Sequence, residues 1–196
     1  RYVQVGPLRT FLRETEGDGT PAIFVHGNPT NSADWVPFLE RMDGPALAPD
    51  LPCFGRSERP KRRRFNPTME GYADFFERFL EAMRIERYSL VVHDWGVVAL
   101  MAALREPDRV ERLVISNAVP LLPGYRWHWV ARIWRRPIMG ELVNSTSTKR
   151  GARLQLRQAR PGLKPMPDEF IDSFWPMWDR GTKRAVLRLY RSADPD

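Results

Sequence analysis

A carboxylate stands at a sharp turn in the segment Val91-Val92-His93-Asp94-Trp95-Gly96. The segment joins a predicted strand, Tyr88–Val92, to a predicted helix that begins near Val97. A residue in such a turn projects from the edge of a sheet, Gly96 lets the helix approach closely, and the first helical N–H groups favour a negative charge. An ionised carboxylate attacks an sp³ carbon without a general base, so Asp94 is the candidate nucleophile. The alternative is that Asp94 only caps the helix, since aspartate is a common N-cap residue.

A second motif follows the predicted strand Ala22–Val25 and reads Phe24-Val25-His26-Gly27-Asn28-Pro29-Thr30. In a parallel sheet this motif and the Asp94 turn end at the same edge, so we expect them side by side. Gly27 permits a tight backbone turn, which lets the backbone N–H groups of Asn28 and Trp95 form a pair of oxyanion donors. The same turn could equally be an ordinary strand end without chemistry.

A third, turn-rich stretch runs over residues 48–57. Its Asp50 and Gly55 are expected to hold the geometry of a loop. We assign no chemistry to it.

Short apolar runs alternate with helical periodicity up to about residue 120. The runs predict five strands: Leu8–Leu12, Ala22–Val25, Ala46–Ala48, Tyr88–Val92 and Leu113–Ile115. Continuous apolar strands of this kind are expected where both faces of a sheet are covered. Apolar spacing predicts a helix over 72–83, opened by Asn66-Pro67-Thr68, and a shorter one over Val97–Leu104. This alternation indicates an α/β fold with a mostly parallel sheet flanked by helices.

After Asn117 the sequence changes to helical pieces punctuated by proline and rich in tryptophan. A helical insertion after a sheet strand is a plausible lid over the ligand site. We therefore expect a sheet unit at 1–120, a helical cap at 121–191, and at 192–196 the start of a return to the sheet. One or two of four cap tryptophans are expected at the cavity: Trp127, Trp134, Trp175 and Trp178.

The three motifs, in this order and at these intervals, resemble the α/β-hydrolase superfamily, in particular the branch that contains haloalkane dehalogenases and epoxide hydrolases. The resemblance covers residues 8–120 specifically and the tail loosely, as a cap inserted after the strand ending near Ser116. It implies that Asp94 forms a covalent alkyl-enzyme ester, and that side-chain N–H groups of Trp95 and Asn28 hold the departing halide. The remaining motif residues support these three: His26, Gly27, Pro29, His93 and Gly96.

Two chemistries fit this resemblance, and the type of donor separates them. Halide departure needs weak N–H donors in an apolar cradle, such as the side chains of Trp95 and Asn28. Epoxide opening needs an acid that gives up a proton, and epoxide hydrolases use cap tyrosines. The cap offers Tyr125 and Tyr190, and nothing in the sequence aims either of them at Asp94. Haloalkane cleavage is therefore favoured, with epoxide hydrolysis, another hydrolysis or a non-catalytic binding module as alternatives.

Hydrolysis of the alkyl-enzyme also needs a base histidine and an acid. The sequence has three histidines: His26 and His93 belong to the motifs, and for His128, between two tryptophans, aromatic packing or exposure is favoured. In the resembled family the base histidine comes from a loop near the C-terminus, and the acid comes either from the end of the strand before the cap or from the loop after the next strand. The first of these acid positions corresponds to Ser116-Asn117 here, which holds no carboxylate. We therefore expect the base and acid beyond Asp196, with the C-terminal strands missing, so that the chain as written is a fragment alkylated at most once.

The formal charge of +7 is unevenly distributed. Residues 121–191 hold 15 Lys and Arg against 5 Asp and Glu, and the rest of the chain is slightly acidic. A basic helical lid on a near-neutral sheet unit does not indicate a nucleic-acid partner. No apolar run is long enough to span a membrane. The single Cys53 favours the cytoplasm. Metal-ligand spacing and a phosphate loop are both absent, so no metal or cofactor is expected. The expected partners are a small apolar substrate and water.

Overall fold

The computed structural model describes residues 1–119, 124–157, 162 and 164–193. Its sheet has the strand order β1-β2-β4-β3-β5-β6. The six strands are β1 Tyr2–Val5, β2 Leu8–Thr15, β3 Ala22–Val25, β4 Ala46–Pro49, β5 Tyr88–His93 and β6 Val110–Ser116. The pairs β4–β3, β3–β5 and β5–β6 are parallel, whereas β1–β2 and β2–β4 are antiparallel. The predicted mostly parallel α/β sheet is confirmed.

The sequence pattern missed β1. This strand has four residues and lies at the edge of the sheet, with only Val5 fully buried. Gly6, at φ +52°, turns the chain into β2. A short edge strand carries too little apolar periodicity to stand out from a loop.

The helices up to residue 119 are α1 Val36–Leu39, α2 Met69–Ala82 and α3 Val97–Ala103. The second and third agree with the two predicted helices, whereas the one-turn helix α1 was not predicted. The hydroxyl of Thr68 accepts the backbone N–H of Gly71, which fixes the start of α2. The apolar stripe of α2, including Tyr72, Phe76 and Phe79, is buried in the main core. Helix α2 therefore covers the parallel sheet that presents the site.

The expectation that β6 is covered on both faces is wrong for the described residues. Leu113, Val114 and Ile115 are 44%, 53% and 51% exposed. Strand β6 has β5 as its only strand partner in the described part of the chain. An apolar run predicts a strand correctly, but its burial depends on neighbours that the run itself does not encode.

Five further α-helices follow within the described residues. They are α4 Trp129–Arg135, α5 Met139–Ser145, α6 Lys149–Leu156, α7 Asp168–Phe174 and α8 Arg180–Ser192. Thr148 caps α6 and Asp179 caps α8. The predicted division at 120/121 and the segment 192–196 fall largely outside the described residues, so the three-part organisation remains a prediction. None of the described helices combines the length and apolar character that crossing a membrane requires.

Candidate active site

The two chemical motifs leave adjacent parallel strands. In the register of β3 and β5, Val25 pairs with Val92, so the turns after both strands lie at one edge of the sheet, as predicted. Asp94 opens a 3₁₀ turn, Asp94–Gly96, with φ +50°. An N-cap residue has extended φ and ψ, and here that conformation belongs to His93. Asp94 is therefore a strained elbow residue, and the simple helix-cap alternative is wrong.

Two glycines let the motifs touch. A Cβ on Gly27 would lie 2.5 Å from both Cβ and Oδ2 of Asp94. A Cβ on Gly96 would overlap the carbonyl oxygen of Val25. The first glycine brings the loop after β3 against the carboxylate, and the second lets the start of α3 pack on β3.

The Asp94 carboxylate is held by backbone donors. The backbone N–H of Asn28 donates to Oδ2 at 2.7 Å, and the backbone N–H of Trp95 also donates to the carboxylate. Burial raises the pKa of Asp94, while these two donors and the nearby His93 and His26 oppose the rise. The predicted pair of backbone donors is thus directed at the Asp94 carboxylate itself, where it favours the charged form.

A cavity of about 310 Å³ opens on this carboxylate. Asp94, Asn28 and Pro29 line one side of it, and the helices α4–α8 supply the rest of its wall. Of the four cap tryptophans considered, Trp134 and Trp178 line the cavity, in agreement with the expected one or two. The other lining residues are His128, Val130, Val143, Asn144, Ser147, Ala152, Gln155, Leu156, Phe174 and Tyr190.

The two expected halide-binding side chains differ in their access to this cavity. Asn28 lines it, and its Nδ2 lies 3.5 Å from the hydroxyl of Tyr190. Trp95 is 1% exposed and does not line the cavity. Its indole N–H makes no hydrogen bond to any described residue. Asn28 and Asp94 therefore meet as expected, whereas the Trp95 N–H lies behind Tyr190.

Residues 20–179 match the family model described as the alpha/beta hydrolase fold. The chain belongs to this family.

Individual relatives of this α/β-hydrolase chain agree with the predicted branch. A haloalkane dehalogenase of Mycolicibacterium paratuberculosis is 36% identical over 184 residues, which cover 83% of this chain and 57% of that relative. The crystal structure of Cfl2 from Burkholderia cenocepacia matches with a TM-score of 0.84 at 25% identity, covering 98% of this chain and 70% of that one. The epoxide hydrolase CorEH matches with a TM-score of 0.77, covers 98% and 72%, and at 21% identity shows the fold alone. The chain thus spans little more than half the length of the curated relative.

Sequence reasoning missed Tyr190 as a site residue of this α/β-hydrolase chain. Its ring meets Trp95 edge-on with centroids 4.7 Å apart, and it lines the cavity beside Asp94. Burial raises the pKa of Tyr190, and the Asp94 charge raises it further. The sequence pattern that could have identified it is the helical spacing of Thr182, Val186 and Tyr190, which are all buried on one face of α8.

The three histidines of the α/β-hydrolase chain have structural contacts. His26 is fully buried, accepts the backbone N–H of Leu51 at 2.9 Å through Nε2, and donates from Nδ1 to the Gly27 carbonyl at 2.8 Å. His93 packs edge-on against Trp35, with centroids 6.5 Å apart.

His128 packs edge-on against Tyr190, as expected of an aromatic-packed residue, and also lines the cavity. Its Nδ1 accepts the backbone N–H of Ala131 at 3.3 Å, so the neutral ring carries its proton on Nε2. Burial lowers the pKa of His128, which favours this neutral form.

The third motif supports the site through its loop geometry, as expected. Asp50 is buried and accepts the backbone N–H groups of Ser32 and Arg56, each at 2.7 Å. Gly55, at φ +51°, lies so close to Asp50 that a Cβ would overlap the carboxylate. Within the described ranges, no three His, Cys, Asp or Glu side chains cluster in a way that could hold a metal ion.

Proposed function

We propose that this protein is a hydrolase that cleaves carbon–halogen bonds in small apolar substrates, with Asp94 as the nucleophile. The observation that carries the proposal is the Asp94 carboxylate itself. It stands on a strained elbow, its Oδ2 is held at 2.7 Å by the Asn28 backbone N–H, and it faces a largely apolar cavity. The similarity to a haloalkane dehalogenase over most of this chain supports the same chemistry.

The first step is a displacement at carbon. Oδ1 of Asp94 attacks the carbon that bears the halogen, the carbon–halogen bond breaks, and the halide leaves with the bonding electron pair. Oδ2 becomes the carbonyl oxygen of the resulting ester. The Asn28 backbone N–H that holds this oxygen, together with the Trp95 backbone N–H that also donates to the carboxylate, would then stabilise the oxyanion formed when water adds to the ester.

Release of the alcohol requires a base that activates water. Both ring nitrogens of His26 are occupied, and His128 uses Nδ1 to cap α4. His93 is engaged with Trp35. We therefore expect the 196-residue chain to form the ester once and to retain it.

Intact-mass spectrometry of the chain after incubation with 1-bromobutane tests this proposal. One added butyl group, absent from Asp94→Asn, is the expected result, with one bromide released per chain. Asp34→Asn is a matched control, because this half-buried carboxylate lies outside the cavity. Steady multiple turnover by the 196-residue chain would contradict the single alkylation, and an unmodified mass would contradict the nucleophile.

Epoxide hydrolysis is the second candidate, and the position of Tyr190 favours it. The Tyr190 hydroxyl accepts from Asn28 Nδ2, which leaves its own proton available to a substrate oxygen in the cavity. The sequence alone did not indicate that this tyrosine lies beside Asp94, and both residues line the same cavity. Incubation with styrene oxide distinguishes the two chemistries. A hydroxyalkyl adduct on the chain without modification by bromobutane would favour epoxide opening, and the absence of both adducts would favour a ligand-binding role.

We also propose that the protein works in the cytoplasm. The support is its single cysteine, which is free and buried. Burial raises the pKa of the Cys53 thiol to about 12, so the group is unreactive at neutral pH.

A further inference from the structure

We propose that the phenol of Tyr190 occupies the leaving-group site, so that a halide must displace it to reach Asn28 and Trp95 together. This inference rests on the proposed halide-releasing function. Of the two expected donors, Asn28 lines the cavity and Trp95 does not. Tyr190 then acts as a positioning residue that competes with the leaving group and favours its release.

The first observation is the contact between Tyr190 and Asn28. Asn28 Nδ2 donates to the Tyr190 hydroxyl oxygen at 3.5 Å, a long hydrogen bond. The other amide atom, Oδ1, is buried without a partner among the described residues. The amide of Asn28 is thus weakly satisfied by the phenol, and a better acceptor could replace it.

The second observation is the cover over Trp95. The Tyr190 ring stands edge-on to Trp95 at 4.7 Å, and Trp127 stacks on Trp95 at 5.9 Å with an interplanar angle of 14°. The Trp95 indole N–H is buried and makes no hydrogen bond of good geometry in the described chain. Its hydrogen-bond interaction with the phenol oxygen opposes the rise in the pKa of Tyr190, so the phenol satisfies this donor only weakly. The Asn28 and Trp95 donors therefore both lie beside the Tyr190 oxygen.

The third observation is the asymmetry of the cavity wall. Asp94, Asn28 and Tyr190 line the cavity, whereas Trp95 does not. In this arrangement a leaving atom in the cavity can accept a hydrogen bond from Asn28 alone. A leaving atom that accepts hydrogen bonds from both Asn28 and Trp95 must take the place of the phenol oxygen.

Helix α8 holds the backbone of Tyr190, and its side chain is held mainly by ring contacts. The Arg135 guanidinium donates to the Tyr190 carbonyl at 2.7 Å. Trp134 meets the ring edge-on at 5.1 Å and His128 at 6.2 Å. Halide binding to both donors therefore requires the phenol to move into the adjoining cavity that Tyr190 lines, while the helix stays in place, and to return as the halide departs.

Simple competition makes a quantitative prediction. An internal competitor raises the apparent Kd of every halide by the same factor, because it reduces the population of the open site equally for all of them. Removing the oxygen with Tyr190→Phe should lower the Kd of chloride and of bromide by one common factor of about 2 to 10, the worth of one modest hydrogen bond. If the phenol instead donated to the halide, the same change would weaken binding.

Chloride-35 line broadening, with bromide as a competitor, measures both constants without turnover. Tyr125→Phe is the matched control, because Tyr125 packs on Trp127 and does not line the cavity. In the parent protein, chloride should also shift the hydroxyl-bearing ring-carbon resonance of Tyr190, assigned by its loss in Tyr190→Phe.

Equal tightening for both halides in Tyr190→Phe, with Tyr125→Phe unchanged, supports the proposal. Weaker or unchanged binding overturns it, as does an absence of saturable chloride binding in every variant. Alkylation by 1-bromobutane separates this failure from that of the proposed function. A butyl adduct on Asp94, with no effect of Tyr190→Phe on the Kd of either halide, would support Asp94 as the nucleophile and overturn the competition by Tyr190.

Discussion

Gly27 and Asp94 are in contact across the ends of two adjacent strands, so closely that a single Cβ on Gly27 would lie 2.5 Å from Asp94 Oδ2. The next residue, Asn28, donates its backbone N–H to that same oxygen at 2.7 Å. The close approach and the hydrogen bond are two parts of one arrangement. Glycine at this position is therefore required by the close approach of the Asp94 carboxylate and not by a positive φ.

Gly27→Ala should disable the site with only a moderate loss of stability. The added methyl group displaces the Asp94 carboxylate, and a misplacement of this size can cost about 100-fold in rate. Overpacking should lower the free energy of unfolding by about 1 to 3 kcal/mol. The rate of butyl-adduct formation and a urea denaturation curve measure the two effects.

Gly44→Ala is the control for this substitution. Gly44 has ordinary φ, and a Cβ there would first meet the Asp18 carbonyl at 3.7 Å. Its adduct rate should stay within about twofold, since surface substitutions without a strained contact are nearly neutral. Equal rates for the two alanine variants would show that Gly27 does not position Asp94.

Asp94→Asn should abolish alkylation and stabilise the protein at neutral pH. Because burial raises the pKa of Asp94 above the ordinary 3.8, its ionised form is the one that costs stability in the folded state. The gain from asparagine therefore develops as pH rises through the folded-state pKa and disappears in acid, where Asp94 is protonated. We expect on the order of 1 kcal/mol at pH 7, typical of relieving a functional site.

Thermal unfolding of both forms between pH 4 and pH 8 measures this difference. A gain that is independent of pH would assign the effect to the strained backbone and not to the charge. The alkylation rate of the parent protein should fall on the acid side at a pH above that of an exposed aspartate, because only the carboxylate attacks.

The sequence predicted the contact between the motifs because strand order and turn position follow from local patterns. The apolar runs that end at Val25 and Val92 locate both turns, and the rule for parallel strands places those turns at one edge. Tyr190 could not be predicted in this way. It lies 96 positions after Asp94 in the chain, and its place depends on how α8 packs against α4 and α5.

The accessibility of Trp95 also lay beyond the sequence. Its position after Asp94 identifies the backbone N–H that meets the carboxylate, because that geometry belongs to the turn. Its side chain is held by ring contacts with Trp127 and Tyr190, and both of these residues lie far from Trp95 in the sequence. The burial of β6 was predicted wrongly for a related reason, since exposure is a property of neighbouring elements.

Asp50→Ala should destabilise the loop beside the site. The carboxylate accepts two backbone N–H groups, from Ser32 and Arg56, and removal of a buried acceptor costs about 1 to 3 kcal/mol for each donor left unpaired. We expect a total loss of about 2 to 6 kcal/mol, with Asp50→Asn intermediate because its amide retains one acceptor oxygen. Urea denaturation measures the series, and exposed Asp43→Ala provides the control. Equal stability of the two alanine variants would remove Asp50 from this role.

Arg59→Ala should loosen the attachment of the helix that carries Tyr190. The Arg59 guanidinium pairs with Asp179 at 2.8 Å and donates to the Met177 carbonyl at 3.2 Å. Asp179 in turn caps α8 by accepting the backbone N–H of Thr182 at 2.9 Å. Loss of these partly buried contacts should cost about 1 to 2 kcal/mol and raise amide hydrogen exchange in the first turn of α8.

Arg63→Ala removes the same charge from the exposed loop nearby and should leave that exchange unchanged. Arg59→Lys keeps the charge but loses the planar guanidinium. Amide hydrogen exchange in the first turn of α8 should therefore be closer to that of Arg59→Ala than to that of the unsubstituted protein. If Arg59→Ala and Arg63→Ala behaved alike, the effect would be one of net charge. A specific effect would instead make the start of α8, and with it the cavity wall at Tyr190, dependent on one guanidinium from the sheet side of the molecule.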